Sequence, residues 1–413
     1  MVSLAPSAGA FTVPDPTNPV VGNSTYFDGL GSPYGGCGLP QANLDSQDFV
    51  ALNVYNTPGD YTFYPRPIPA AQADKIGMWN NGLNCGRYVQ VKIKDFCTGV
   101  NDGAPNQPFC RNGSWVTDAY NDGVLTMLVA DSCGDSNAWC RDDPYHLDLA
   151  KGSLNKFVKN GTPLTDLFPD HFNNRHIEWS FVPAPNYTGD IKVGFLQGAQ
   201  RWWAAIAVSH LANGIHGVDY FADGAWHAAA MNSDMGQSYI IGGTTSGATQ
   251  FQIRVHDVTN TLINAGRVYN FSLPDSCASQ CSPAYTPVSY TTGTTSPSPT
   301  PSVSPSVSPS PSTGGGCTVT PTVVGSWNGG FQADVAVRNN GTLPTSGWTV
   351  RFSFAGPQTI ASSWNAVLTQ TGQQVVAANA GYNGSIPANG STSFGMVVNG
   401  ANQPLTGISC TTR

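Results

Sequence analysis

Between Thr294 and Gly316 the chain reads TTSPSPTPSVSPSVSPSPSTGGG, 23 residues with eight Ser, six Pro, four Thr and no charge. Two valines are its only apolar side chains of any size, so it cannot bury a core. It reads as an extended, polyproline-like spacer reaching roughly 60–70 Å at about 3.1 Å per residue. With the residues just ahead of it, the linker is drawn over 284–316. It separates a large N-terminal body from a C-terminal piece, Cys317–Arg413. Charge divides unevenly across it: after Gly316 only Arg338, Arg351, Arg413 and Asp334 are charged.

The 413 residues suffice for several domains, each with its own core. With 46 Gly and 31 Pro against 18 Lys/Arg and 25 Asp/Glu, short strands and turns are favoured over long amphipathic helices. A net charge of −7 argues against a nucleic-acid or anionic-membrane partner, because counterion release needs clustered cations. No apolar run reaches the roughly 18–20 residues of a membrane helix. The acids are 24 Asp and one Glu, Glu178, so carboxylate chemistry here is aspartate chemistry. Ten cysteines, at 37, 85, 97, 110, 133, 140, 277, 281, 317 and 410, fall in local pairs without a tandem CxxC knuckle. That pattern favours disulfides over zinc and points to an oxidising, extracellular setting. Met1 is not followed by a basic start and a long apolar core; the expectation is a secreted protein whose signal has been removed.

The C-terminal piece is a series of period-2 strands, ADVAVRN, GWTVRFSF, QQVVAAN and TSFGMVV, with Gly, Asn and Pro between them. This is a β-sandwich pattern. Cys317 and Cys410 stand at its ends, where a bridge would close a loop worth roughly 4–5 kcal/mol in the chain-entropy model. Trp327 in SWNGG, Trp364 in SSWNA and Tyr382 in GYNGS occupy polar, turn-like contexts, unlike Trp348. Flat rings in such surroundings suit stacking on sugar faces. Cys317-Thr-Val-Thr, Trp327-Asn-Gly-Gly-Phe, Gly347-Trp-Thr, Ser363-Trp-Asn-Ala, Asn383-Gly-Ser, Gly390-Ser-Thr-Ser-Phe-Gly and Cys410 resemble family 2 carbohydrate-binding modules. That resemblance implies a cellulose-binding strip of Trp327, Trp364 and Tyr382, the last standing where the family commonly has Trp.

From about Asn23 to Val182 the pattern is again strand-rich, and only LAKGSLNKFVKNG looks helical. Asp131 ends the apolar strand VLTMLVA, and Asp148 lies in PYHLDL. Each adjoins apolar residues that could desolvate it into a general acid. Spacing alone also allows Asp148 to cap the following helix. Asn80-Asn-Gly-Leu-Asn-Cys85-Gly, Asp131 and Pro144-Tyr-His-Leu-Asp148-Leu resemble the first domain of expansins, a six-stranded double-psi β-barrel shared with family 45 endoglucanases. The resemblance implies that Asp148 is the essential groove acid, that Thr25, Tyr26 and Asp131 are its companions, and that Cys37 pairs with Cys85. Cys133 stands where bacterial expansins often have a Tyr. Asp28, in TYFDG, is the candidate base if the groove hydrolyses by inversion, which needs two carboxyls about 6.5–9.5 Å apart. Cys97–Cys110 and Cys133–Cys140 are paired by proximity, and Cys277 with Cys281 could close a small loop. His171, His176 and Glu178 fit no zinc spacing and read as strand surface. The first histidine is His146, which sets aside a copper monooxygenase with an N-terminal His.

The segment from Gly189 to Pro274 alternates again, with Ala222-Asp-Gly-Ala reading as a hairpin turn. Arg201-Trp-Trp-Ala-Ala-Ile through Asp223-Gly-Ala-Trp226 resembles the second domain of bacterial expansins, an immunoglobulin-like cellulose binder. This implies a sugar platform of Trp202 and Trp203, without an aromatic in Met231–Gly236 to extend it. The whole is read as all-β and multidomain: an extension (1–22), a double-psi barrel (23–186), an immunoglobulin-like sandwich (187–283), the linker and a C-terminal β-sandwich carbohydrate-binding module (317–413). The expected activity is non-hydrolytic loosening of cellulose, with xyloglucan or other β-glucans as further partners, by a monomer needing no cofactor or metal. The alternatives are an inverting endoglucanase, with Asp148 as acid and Asp28 as base, and a non-catalytic cellulose adhesion protein.

Overall fold

In the computed structural model the described residues are 13–172, 175–293, 316–327, 329–380, 383–388 and 390–413. The spacer expected from 294 onward therefore lies outside them up to residue 315. The chain divides into two compact units, one on either side of that stretch.

Six strands of the first unit close on themselves: β1 (Val20–Phe27), β2 (Phe49–Asn53), β3 (Tyr88–Cys97), β4 (Val124–Cys133), β5 (Leu147–Ala150) and β6 (Arg175–Val182). Around the barrel the order is β3–β6–β1–β5–β2–β4 and back to β3. Only β1–β5 and β2–β4 run parallel, the remaining pairs being antiparallel. This is the six-stranded double-psi arrangement. Alternation along each strand sends Val50, Leu52, Val89, Val91, Met127, Val129, Leu147, Leu149, Ile177 and Trp179 into one core, all at most 1% exposed. The barrel begins at Val20 rather than Asn23, because Val20 and Val21 already pair with Trp179 and Glu178.

LAKGSLNKFVKNG is not an α-helix. Leu149 and Ala150 complete β5, Lys151–Lys156 is a 3-10 stretch, and Val158–Lys159 is a short strand. The N-cap of the 3-10 stretch is Ala150 and no side chain caps it, so Asp148 is a strand residue and not a cap.

The sandwich has two five-stranded antiparallel sheets around Phe195, Phe251 and Phe271, whose ring centroids lie 5.5–5.9 Å apart. Ala222 pairs with Ala225 across the expected two-residue turn. The linker boundary drawn at 284 is corrected here. Tyr285–Val288 pairs with Lys192–Leu196 at the edge of one sheet, and Thr291–Gly293 pairs with Val268–Ser272 at the edge of the other. These residues carry little apolar periodicity; backbone pairing recruits them, and Tyr285, Val288 and Tyr290 pack against the two apolar clusters.

Barrel and sandwich share a second apolar cluster that includes Leu39, Phe49, Tyr88, Leu128, Leu196, Ala205 and Ala207. Polar ties surround it: Lys192 Nζ to Asp45 at 2.6 Å, and the Gln237 amide donating to the Cys37 carbonyl at 3.1 Å. At its margin backbone meets backbone so closely that a Cβ on Gly236 would lie 1.7 Å from the Gly82 oxygen. Only glycine fits there.

The second unit is a sandwich of two four-stranded antiparallel sheets, with Trp348 stacked on Phe394 at 5.6 Å in its core. All ten cysteines are paired: 37–85, 97–110, 133–140, 277–281 and 317–410.

Candidate functional site

Strand register on the outside of the barrel lines up one row of residues. Thr25 on β1 is opposite Asp148 on β5, Asp148 is opposite Ala51 on β2, and Ala51 is opposite Asp131 on β4. Directly opposed residues face the same side of a sheet, so the row presents Thr25, Asp148, Ala51 and Asp131 together. With about 4.8 Å between strands, the backbones of Asp148 and Asp131 stand about 10 Å apart. Ala51 between them is buried, packed with the Cys133–Cys140 bridge and Phe27.

Two residues along each strand lies a second row on the same face: Asn23, His146, Asn53 and Cys133, each under 10% exposed. It is tied to the first row by a directed chain. Asn53 Nδ2 donates to the carbonyls of Trp139 at 3.0 Å and Asp143 at 2.6 Å, which fixes its Oδ1 as an acceptor. His146 Nδ1, 3.1 Å from that oxygen, must then carry the ring proton, leaving Nε2 as an acceptor. Thr25 Oγ1 lies 2.8 Å from His146 Nε2 and 2.9 Å from Asp148 Oδ1. The hydroxyl has one proton for two partners. Given to Nε2, it leaves the contact with Asp148 satisfied only when the carboxyl is itself protonated. Ionising Asp148 draws that proton away and strips a buried imidazole nitrogen of its donor, which costs free energy.

Burial pushes the Asp148 carboxyl up to about 7, the charges of Asp135 and Asp131 add to the rise, and the Thr25 bond pulls the other way. Burial drives the His146 imidazole down to about 3, so it stays neutral. Asp131 is also raised by burial, but against the pull of two backbone donors, Gly36 N at 2.7 Å and Ser132 N at 2.9 Å. Asp143, buried, receives Asn23 N at 2.6 Å, Asn23 Nδ2 at 2.8 Å and Tyr145 N at 2.9 Å. Trp139 lies parallel to the His146 ring at 6.5 Å and donates Nε1 to Asn101 at 2.9 Å.

The structure brings together Thr25, Asp131 and Asp148. It does not bring Tyr26 or Asp28 to them. Tyr26 follows Thr25, so strand alternation turns it to the other face, where it packs edge-on against Phe168 at 5.0 Å and Phe172 at 6.2 Å. Asp28 lies beyond the end of β1 with its side chain 88% exposed, paired with Lys151 at 2.9 Å. Among the described residues, Cys133, Cys140 and His146 are the one group of potential metal ligands close together. The two sulfurs are bonded to each other, so the group has no thiolate to offer. His171 and His176 stack on Tyr120 and Trp115, and Glu178 pairs with Lys92 at 2.6 Å.

Trp202 and Trp203 are both outward, 65% and 36% exposed. They escape strand alternation because the Gln200 and Trp203 backbones bond to each other at 3.0 Å, making a tight turn ahead of strand Ala204–Ser209. Trp202 rests on Gly247, where a Cβ would come within 2.5 Å of the indole, and the Arg201 guanidinium lies 4.7 Å over its ring. In the second unit Trp327 and Trp364 belong to the two outer strands of one sheet, in register with Gly330 and Gly395. Their side chains, and Tyr382 altogether, lie outside the described residues.

Comparison with known proteins locates a family match in the second unit. Residues 317–412 match the family model described as cellulose binding domain. Endoglucanase A of Thermobispora bispora is 44% identical over 100 residues, 24% of this chain and 22% of that protein. Exoglucanase A of Cellulomonas fimi is 43% identical over 107 residues, 24% of this chain and 12% of that protein. The chain thus spans less than a quarter of the length of these relatives. The crystal structure of apo Clavibacter michiganensis expansin aligns with 62% of this chain and 92% of its own, at 17% identity and a TM-score of 0.37. Residues 317–412 are thus the part of the chain that is similar to cellulose binding domains.

Proposed function

We propose that the protein is a cellulose-binding, expansin-like protein that loosens contacts between glucan chains without cutting them. The observation that carries this reading is what separates the two carboxyls of the outer row. Inversion at a glycosidic bond needs a water held between an acid and an ionised base. Here Asp148 is suited to hold a proton, but the residue between it and Asp131 is the buried, apolar Ala51, packed with Phe27 and the Cys133–Cys140 bridge. Asp131 directs its Oδ1 at Gly36 and Ser132. Asp28, the base that the motif offers, is engaged by Lys151 away from the row.

On this reading the tryptophan pair and the C-terminal module hold the polymer by stacking. The groove then offers Asp148 as a neutral donor to sugar hydroxyls, competing with the hydrogen bonds between chains. Xyloglucan and other β-glucans present the same hydroxyls and faces, and are included in the proposed substrate class. Secretion fits the five disulfides, and action as a monomer suits a protein whose binding features all lie on one chain.

Hydrolysis is retained as a second reading because Asp131 does stand opposite Asp148 across one strand; in that case Asp131, and not Asp28, is the base. Prolonged incubation with amorphous cellulose, xyloglucan and mixed-linkage glucan separates the two. We expect weakening of cellulose paper or wall strips with no soluble sugar formed. Reducing ends that accumulate catalytically and vanish in Asp148→Asn would replace the first reading with the second.

A further inference from the structure

Among the described residues of the first unit, three aromatic side chains are exposed: Trp202, Trp203 and Phe63, the last at 66%. An exposed Phe on a mobile loop would mean little. The loop around Phe63 is instead pinned on both sides. Tyr61 donates to Asp142 at 2.7 Å and accepts from Asn106 N at 2.9 Å. Thr62 N donates to Asp60 at 3.0 Å, and the Thr62 carbonyl accepts from Arg141 at 2.7 Å. The Tyr64 carbonyl accepts from Tyr55 at 2.9 Å, and the Tyr64 hydroxyl bonds Asp60. The wholly buried Arg141 guanidinium lies 3.9 Å from the Tyr55 ring and 5.2 Å from the Phe63 ring, supporting Phe63 from within.

The same contacts fix where the ring stands. Arg141 also donates to the carbonyls of Asp135 at 2.7 Å and Gly134 at 3.4 Å. Arg66, three residues after Phe63, donates to Ser132 Oγ at 2.9 Å and to Asp234 of the sandwich at 2.7 Å. The Phe63 loop therefore lies against 132–135, the segment that leaves the outer row at Asp131 and whose Asp135 charge is felt at Asp148. Asp234 belongs to Met231–Gly236, the stretch that lacks an aromatic. A flat apolar ring held rigid at the groove's edge, between the groove and the sandwich, has one face to offer and little ordering entropy left to lose.

We propose that Phe63 is a sugar-stacking subsite at the rim of the groove, taking one pyranose ring of a neutral β-linked glucan chain as that chain passes between groove and sandwich. The inference rests on the glucan-binding reading above and deepens it. Its test uses the full chain labelled with 4-fluorophenylalanine, the Phe63 resonance being assigned by its loss in Phe63→Ala. The ligand is a soluble β-1,4-linked glucose hexamer, and Trp327 and Trp364 are replaced by Ala to silence the C-terminal module. We expect the Phe63 resonance to move saturably with hexamer. Phe63→Ala should weaken affinity about three- to tenfold, the range of one aromatic stacking contact, and Phe63→Trp should restore it, with melting temperatures unchanged. A hexamer that binds in a Trp202-dependent way, while the Phe63 resonance and the Phe63→Ala affinity stay put, would overturn the subsite and leave the glucan reading standing. Absence of binding to both hexamer and insoluble cellulose by the unmutated chain would overturn both.

Discussion

The outer row of the barrel and the tryptophan pair of the sandwich belong to one compact unit yet are built on opposite principles. The row is polar, largely enclosed and ordered by proton direction: Asn53 fixes His146, and His146 Nε2 and Asp148 compete for the one Thr25 proton. The pair is apolar and exposed, in a turn stabilised by a single backbone exchange. A surface that binds by ring contact is indifferent to pH and salt. A groove whose acid titrates near neutrality is not. Attachment and loosening should therefore respond separately to mutation and to pH.

The largest effect is expected from the tryptophans. In a chain already carrying Trp327→Ala and Trp364→Ala, adding Trp202→Ala and Trp203→Ala should cost about thirtyfold or more in affinity for amorphous cellulose, at roughly 1 kcal/mol per ring. Depletion isotherms at pH 5 and pH 8, with and without 1 M NaCl, should show the same loss. A strong salt or pH dependence would break the comparison.

Asp148→Asn should then reduce loosening of cellulose strips about tenfold while leaving depletion isotherms within twofold of the unmutated chain. Equal loss of both would show that the groove is an attachment site like the other.

Stability gives a subtler contrast. His146 stays neutral in the folded protein down to about 3, against an ordinary 6.5. The unfolded chain therefore binds the extra proton between these values, and this residue alone makes stability rise with pH across that window. Asp148 keeps its proton up to about 7 when folded, against an ordinary 3.8. The folded chain binds the extra proton there, and this residue alone makes stability fall with pH. Over about pH 4 to 6.5 the two cancel. Asp148→Asn should unmask the histidine slope, a gain of up to about 1.4 kcal/mol per pH unit relative to the unmutated chain. Urea unfolding at pH 4.5, 5.5 and 6.5 checks it, and parallel curves would refute the cancellation.

The smallest effect sharpens the proton argument itself. In His146→Leu the Thr25 hydroxyl is free to donate to the carboxylate, so the Asp148 pKa, read by carboxyl carbon NMR, should fall by about one unit. If burial alone sets it, exchanging an imidazole for leucine leaves it unchanged or raises it.

How far these features were legible depends on whether they are local. Strands β3, β4 and β6 of the barrel followed from runs that alternate or stay apolar, and the Cys133–Cys140 bridge from proximity. Thr25 and Asp148 came from motifs that proved to sit opposite one another in parallel register. Tyr26 and Asp28 came from the same motif, but adjacent strand residues cannot share a face, and Asp28 had already left the strand. The directed chain through His146 and Asn53 needs β2 beside β5, a long-range pairing that no local pattern announces. Residues 285–293 resemble the spacer in composition, and their place at two sheet edges depends on backbone bonds that composition does not record. Phe63 carried no signal beyond being aromatic in a turn-rich stretch.

The contact of Gly236 with Gly82 has a mechanical corollary. Where main chain abuts main chain and charged ties brace the margin, neither half can roll on the other, so the spacing from groove to tryptophans is set at folding and not adjusted to the guest. A stiff polymer that engages both places must conform to that gauge. On the reading proposed here, it is the sugar lattice that yields, strand by strand, to a protein that does not bend.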